Sequence, residues 1–354
     1  MSSSAPELFQ LLSSYEADAA QAEALFSRGA PLVQREAATN ELIQGIQDRC
    51  VIAAHNATKI AMCFGSDPIR LDAARACIES LQGSVLDLGN HTLKLSPLYG
   101  KCLSEDVLGR VRRILIANHE LAVSLVEGRG EAGAPTYTQG VAKIVQAAEH
   151  VSAAPWSLMA ALQLRVAERE ALVLDACEEF AEGIADAEDN LEDDDAGQND
   201  LPDADDLMGN MPTFGAEELP LAKAALGLLR AVHKAFHKIR IDIGRWDEAA
   251  SLPVEKNLLD GVMDVQSRVD AFVEELYGDD MANVGELAKS LTSAVFGLLR
   301  EPSDMAAGEP LPDLSSLSLE GAPPSLADDW RLFFRHALRH NLQKLLALVD
   351  TVGH

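Results

Sequence analysis

The sequence is poor in aromatic residues and has no long hydrophobic run. Phe, Trp and Tyr make up 5% of its 354 residues, and β-strands are enriched in such residues. Its apolar runs are shorter than the roughly 18 residues that suggest a membrane-spanning helix. The first residues, MSSSAPELFQ, also lack the charged and apolar regions of a signal peptide. We therefore expect a helical chain that does not insert into a membrane.

The five cysteines form no CxxC motif. Their odd number and irregular spacing fit a reducing compartment, where a thiol usually behaves as a small buried apolar group. We therefore expect a protein of the cytoplasm, the nucleus or both. The cysteines are Cys50, Cys63, Cys77, Cys102 and Cys177.

Motifs of catalysis and metal binding are absent or incomplete. There is no GxSxG elbow, P-loop or HExxH. GRGEAG at 128–133 has the glycine spacing of the GxGxxG dinucleotide-binding fingerprint. That fingerprint follows a strand, whereas a helical pattern precedes this segment, so the match does not predict a nucleotide site. The acidic residues around Gly197 lack the closing Glu of an EF-hand. We expect a non-enzymatic chain with no cofactor and no metal site.

Two histidine pairs keep a metal-binding bundle enzyme open as a remote alternative. His233 and His237 are four residues apart, as are His336 and His340, so each pair points to one side of a helix. Lysine and arginine residues adjoin both pairs, and their positive charge disfavours a bound cation.

Negative charge is concentrated in one part of the sequence. Between Glu170 and Ala222 there are 18 acidic residues and no Lys or Arg, within a chain of net charge −27. A strongly acidic chain repels phosphate backbones, so direct nucleic-acid binding is disfavoured and a protein partner is favoured.

Apolar residues recur every three or four positions, which predicts helices almost throughout the chain. We predict an all-α fold of two antiparallel helical bundles. The N-terminal bundle, 1–191, has five or six helices, and the C-terminal four-helix bundle is 216–354. An acidic flexible linker at 192–215 joins them, and a Pro/Ser-rich loop occupies 301–325. The predicted helices are 5–28, 32–64, 68–95, 103–128, 138–152, 155–190, 216–243, 252–278, 283–300 and 325–352.

Two stripes of basic residues are the candidate partner-binding surface. Basic side chains four residues apart lie along one side of a helix. They could receive an acidic segment of a partner, or the acidic linker itself, although ordinary solvated helix faces have the same pattern. The candidate residues are Arg230, Lys234 and Lys238 on one helix and Arg331, Arg335 and Arg339 on another.

Three segments resemble the cyclin-D-binding, GCIP-like proteins. They are LVLDACEEF at 172–180, LAKAALGLLRAVHKAFHKIR at 221–240 and LYGKCLSEDVLGRVRRILIANHELAVSLVEG at 98–128. The resemblance implies a vinculin- or catenin-like helical fold. It also implies a cytoplasmic and nuclear regulator that binds D-type cyclins and helix-loop-helix proteins and restrains the cell cycle or transcription. Because His233 and His237 depart from the family pattern, no cyclin-binding residue can be transferred. The alternative is a vinculin-like cytoskeletal adaptor.

Overall fold

The chain folds into helices, as the apolar periodicity predicts. The structure is a computed structural model that describes residues 4–28, 40–65, 69–95, 100–127, 137–194, 214–246, 248–278, 283–301, 305 and 329–352. These residues form ten helices and no strand, which confirms the all-α prediction. The helices are α1 (Ser4–Arg28), α2 (Asn40–Phe64), α3 (Leu71–Leu93), α4 (Lys101–Glu127), α5 (Tyr137–Ser152), α6 (Leu158–Asp194), α7 (Leu219–Ile243), α8 (Glu248–Leu276), α9 (Val284–Leu298) and α10 (Trp330–Val352).

Several predicted features lie wholly or mostly outside the residues that the structure describes. The GRGEAG segment at 128–133 lies outside the described residues. The acidic linker is described only at its two ends, up to Asp194 and from Phe214 onward. Of the Pro/Ser-rich loop, only Glu301 and Met305 are described. The arrangement of two bundles joined by a linker therefore stays a prediction.

The described contacts divide the chain into two compact units, Met1–Ala161 and Leu162–His354. The division falls just after the start of α6, whereas the sequence predicted a boundary after this helix. The physical reason is that side chains of α6 pack on α7 and α8. Arg169 bonds to Gln266 of α8, and Gln163 bonds to the carbonyl of Arg240 on α7.

In the first unit the helices pack in the cyclic order α1, α4, α5, α2 and α3. Each buries one apolar stripe, as on α3, where Ala74, Ile78, Leu81, Val85 and Leu88 are buried. Few polar groups enter this core. The hydroxyl of Tyr15, which is fully buried, donates a 2.7 Å hydrogen bond to Oδ1 of Asn118 on α4. Nearer the surface, Arg49 of α2 pairs with Asp87 of α3 at 2.7 Å.

In the second unit α7, α10, α9 and α8 pack in that order, and α6 lies against α7 and α8. Three aromatic rings meet near the middle of α6. Phe180 meets the rings of Phe214 and Tyr277 edge to face, with centroids 5.5 and 5.4 Å away. Phe214 stacks on Tyr277 at 5.3 Å. Such ring pairs stabilise packing beyond the area that they bury, so they tie the middle of α6 to Tyr277, just after α8.

Candidate protein-binding surfaces

The two predicted basic stripes lie on helices that are neighbours. Antiparallel packing of α7 on α10 places Lys238 and Arg331 at the ring of Trp330. The Lys238 ammonium is 6.0 Å from the ring centroid and the Arg331 guanidinium is 4.6 Å from it. Cations in this position are attracted by the π-face of an indole, so Lys238 helps to join α7 to α10, whereas Arg331 and Trp330 are neighbours on α10 itself.

The α7 stripe is the more accessible of the two. Arg230 and Lys234 are exposed, and neither forms an ion pair within the described part of the chain. Lys238 is half-buried at Trp330. We define the α7 basic surface as Arg230 and Lys234. Its role in partner binding stays a prediction.

The arginines of α10 are engaged with neighbouring helices. Arg331 forms ion pairs with Asp242 of α7 and, at 2.9 Å, with Glu301. Arg335 donates a 2.6 Å hydrogen bond to the carbonyl of Leu299, just after α9. Positive charge is favourable at the C-terminal end of a helix. These contacts give Arg331 and Arg335 a role in packing.

Arg339 is buried, with 8% of its surface exposed. Its guanidinium carbon lies 5.9 Å from the ring centroid of Phe296, and its Nη2 atom has no hydrogen-bond partner. Burial lowers the pKa of Arg339. A guanidinium held in this way costs desolvation free energy without gaining an anion in return.

The histidine pair on α7 contacts a buried carboxylate that the sequence analysis missed. Glu170 of α6, 8% exposed, accepts hydrogen bonds from His237 Nδ1 at 2.8 Å and Arg240 Nε at 2.6 Å. His233 Nε2 is 3.9 Å from the same carboxylate. Burial raises the pKa of Glu170, but the bonds from Arg240 and His237 outweigh that effect and lower it. We call Glu170, His233, His237 and Arg240 the α6–α7 polar cluster.

The hydrogen bonds of the polar cluster join α6 to α7. Burial lowers the pKa of His233 despite the nearby Glu170, so His233 tends to remain neutral. Within the described residues, no group of three or more His, Cys, Asp or Glu side chains is arranged to hold a metal ion. The cluster therefore positions α6 on α7 through one buried carboxylate.

The cysteine thiols are poorly suited to nucleophilic chemistry. Burial raises the pKa of Cys50 to about 12 and that of Cys177 to about 11, the latter in spite of nearby Arg230. The pKa of Cys63 is raised by burial and by the adjacent Cys77 thiol. A thiol must ionise to act as a nucleophile, so these three are held in the unreactive form at neutral pH.

A cleft of about 400 Å³ opens between α1 and α3 in the first unit. Ala19 and Ala22 form the α1 wall, Val85 and Leu86 form the α3 wall, and Asn118 of α4 also lines it. Leu86 is 47% exposed. Sequence reasoning missed this cleft, and its one signal is the adjacent pair Val85 and Leu86, which widens the apolar stripe of α3.

A shallower depression lies between α4 and α5, with a volume of about 290 Å³. Arg113, Glu120 and Lys143 line it, and Lys143 pairs with Glu120 across the two helices. The three charged side chains of its rim leave it less suited than the α1–α3 cleft to accept an apolar group. None of the described helices combines the length and hydrophobicity required to span a bilayer.

Part of the chain is similar to a known protein family. A protein-family model described as Grap2 and cyclin-D-interacting, N-terminal, matches residues 46–186. No curated protein matched the chain. The matched region contains α3 to α5 entire, most of α2 and most of α6. The resemblance inferred from the sequence is thus confirmed over residues 46–186, which are similar to the N-terminal domain of the Grap2 and cyclin-D-interacting family.

Proposed function

We propose that this chain is a non-enzymatic regulator that acts by binding other proteins, with a D-type cyclin among its partners. The observation that carries the proposal is the match of residues 46–186 to a family described by its interaction with Grap2 and cyclin D. By resemblance we extend the proposal to helix-loop-helix proteins as partners and to restraint of the cell cycle or transcription. The proposed locations are the cytoplasm and the nucleus.

The chemistry of the described residues supports a binding role. The carboxylate of Glu170 in the α6–α7 polar cluster is neutralised by Arg240 and His237, and burial suppresses ionisation of the Cys50 and Cys177 thiols. The features that remain open to a partner lie on the surface of the protein. The α7 basic surface and the α1–α3 cleft offer, respectively, exposed positive charge and an apolar recess, which are the usual elements of protein recognition.

Direct binding to a purified D-type cyclin tests the proposal. We expect a saturable one-to-one complex by isothermal titration calorimetry, and an A-type cyclin provides the specificity control. Absence of a complex with the D-type cyclin would contradict the proposal. If the chain instead sedimented with actin filaments, a cytoskeletal adaptor would replace it, and stoichiometric zinc or iron in untagged protein would favour a metal-dependent enzyme.

The α7 basic surface can be tested in the same assay. We expect Lys234→Glu to weaken cyclin binding if an acidic segment of the cyclin contacts this surface, because the substitution replaces attraction by repulsion. Lys289→Glu is the matched control, since Lys289 is a surface residue of α9 paired only with Glu286 of its own helix. Equal affinities of the two variants would remove Arg230 and Lys234 from the binding surface.

A further inference from the structure

The cleft between α1 and α3 combines apolar walls with an unused hydrogen-bond donor. Asn118 is 2% exposed, and its Oδ1 atom accepts the bond from Tyr15. Its amide nitrogen has no hydrogen-bond partner in the described part of the chain, and Asn118 lines the cleft. An acceptor that enters this cleft would supply the bond that Asn118 lacks.

The dimensions of the cleft suit the side chains of one helical turn. Its α1 wall extends from Asp18 to Ala22, and its α3 wall extends from Gln82 to Leu86. Each wall therefore spans about 6 Å at 1.5 Å per residue. Two side chains four residues apart on an incoming helix are separated by the same distance. Leu86, about half exposed, offers them an apolar contact.

Negative charge beside the cleft favours an occupant that carries positive charge. Asp18, exposed on the rim, receives only a 3.2 Å bond from Gln82. The side chains described on α1 include four acidic residues and no Lys or Arg; the acids are Glu7, Glu16, Asp18 and Glu23. On α3, Arg75 is about 10 Å along the axis from Gln82. Glu23 is paired with His119 of α4, whereas Asp18 on the rim of the cleft has no cationic partner within the described residues and complements a positive partner.

We infer that the α1–α3 cleft docks a basic amphipathic helix of a partner protein. Its apolar side chains enter between α1 and α3, a polar acceptor reaches the amide of Asn118, and a Lys or Arg pairs with Asp18. The inference rests on the proposed function, because it names the surface and the chemistry of a protein partner. It places part of the binding surface on α1, outside residues 46–186.

A pair of synthetic peptides tests the occupant. The probe is a labelled helix of about 18 residues, long enough to be helical, with Leu at helical spacing, one Gln among them and Lys elsewhere. A second peptide carries Glu in place of every Lys. By fluorescence anisotropy at physiological salt, we expect the wild-type chain to bind the Lys peptide at least about tenfold more tightly. Equal binding of the two peptides would overturn the inference.

Two matched variants separate docking from general attraction to an acidic protein. Leu86→Asp places a charge in the apolar wall and is expected to weaken binding of the Lys peptide about tenfold. Met62→Asp adds the same charge at an α2 residue that is 74% exposed and outside the cleft. Since each variant becomes more acidic, unspecific attraction predicts equal or tighter binding for both. Equal affinities of the two variants would refute docking in the cleft.

The cyclin assay distinguishes this inference from the proposed function. Binding of the Lys peptide together with failure to bind a D-type cyclin would uphold the cleft and reject the cyclin proposal. The reverse result would reject the cleft and uphold the proposed function. Thermal unfolding of each variant, followed by circular dichroism, verifies that it is folded, and Leu86→Asn serves as a milder second variant.

Discussion

Glu170 shows how one buried side chain can join two helices. Its carboxylate receives bonds from His237 and Arg240 of α7 while its own helix is α6. Removal of a buried charged acceptor leaves its donors to find other partners, and such bonds contribute about 1–3 kcal/mol. The carboxylate is therefore expected to be the main polar contribution to the packing of α6 on α7.

Glu170→Gln is expected to lower the free energy of unfolding by about 1–3 kcal/mol at neutral pH. Because the folded state lowers this pKa from the ordinary 4.5, the contribution is complete above that value. It disappears as the pH falls through the lower, folded-state pKa. Urea unfolding at several pH values measures it, with the difference between variant and wild type shrinking in acid. Glu168→Gln, at a carboxylate with 49% exposed surface, is the control and should change little.

Arg339 is expected to be dispensable for stability. Replacement of a buried, unpaired charge by an apolar side chain of similar length is often neutral or stabilising, so Arg339→Met should change the free energy of unfolding by less than about 1 kcal/mol or raise it. Arg335→Met should cost about 1.5–3 kcal/mol, because it removes the charged bond to Leu299. A large loss of stability in Arg339→Met would contradict this account, and a selective loss of cyclin binding would restore Arg339 as a partner-binding residue.

At the scale of the helix, close approach of α5 to α4 depends on a glycine. A methyl group on Gly140 would lie 2.9 Å from the Cα atom of Leu121. This Cα atom belongs to the backbone of α4, which cannot move aside as a flexible side chain can. Gly83 of α3 is different, since a methyl group there would meet no atom within 4 Å.

Alanine at these two glycines should have opposite effects. Gly140→Ala is expected to lower the free energy of unfolding by about 1–3 kcal/mol, because overpacking forces α4 and α5 apart. Gly83→Ala is expected to raise it by about 0.8–1 kcal/mol through helix propensity alone. Thermal unfolding followed by circular dichroism measures both. A Gly140→Ala variant at least as stable as the wild type would show that the helix spacing does not depend on Gly140.

Most helix positions could be predicted from apolar periodicity, but their partners could not. The predicted helix at 216–243 corresponds to α7, and that at 138–152 to α5. The helix predicted at 252–278 begins earlier in the structure, since α8 starts at Glu248 and Pro253 lies inside it. Periodicity shows that a stripe is buried and leaves open what buries it. For that reason the packing of α6 on α7 and α8 emerged only from the structure.

The exposure of the candidate partner-binding residues was only partly predictable from the sequence, and their role in binding stays a prediction. Basic spacing identified Arg230 and Lys234, which are exposed, but the same spacing on α10 gave Arg331, Arg335 and Arg339, which contact α7 and α9. Spacing along one helix carries no information about the helix packed against it. The α1–α3 cleft was missed for the same reason, since its α1 and α3 walls come from residues 60 or more positions apart in the chain.

The charge of the whole molecule opposes nucleic-acid binding. A net charge of −27 repels a polyanion over about 8 Å at physiological salt and farther at low salt. The exposed cations of the α7 basic surface are only two, Arg230 and Lys234. They are too few to offset the repulsion by counterion release.

We therefore expect no complex with duplex DNA in a gel-shift assay, even at low ionic strength, where attraction to any basic surface would be strongest. Lys234→Glu should leave this result unchanged. A retarded band that disappears in Lys234→Glu would overturn the expectation and show that the α7 basic surface dominates locally over the net charge.

The bond between Tyr15 and Asn118 joins residues that are 103 positions apart, and this has a consequence for synthesis. Translation at roughly 5–20 residues per second makes α1 emerge about 5–20 s before its hydrogen-bonding partner on α4. Leu8, Leu12 and Tyr15, all buried in the finished fold, lack their native cover during that interval. We therefore expect the nascent first helix to expose these apolar side chains to ribosome-associated chaperones until α4 has been made.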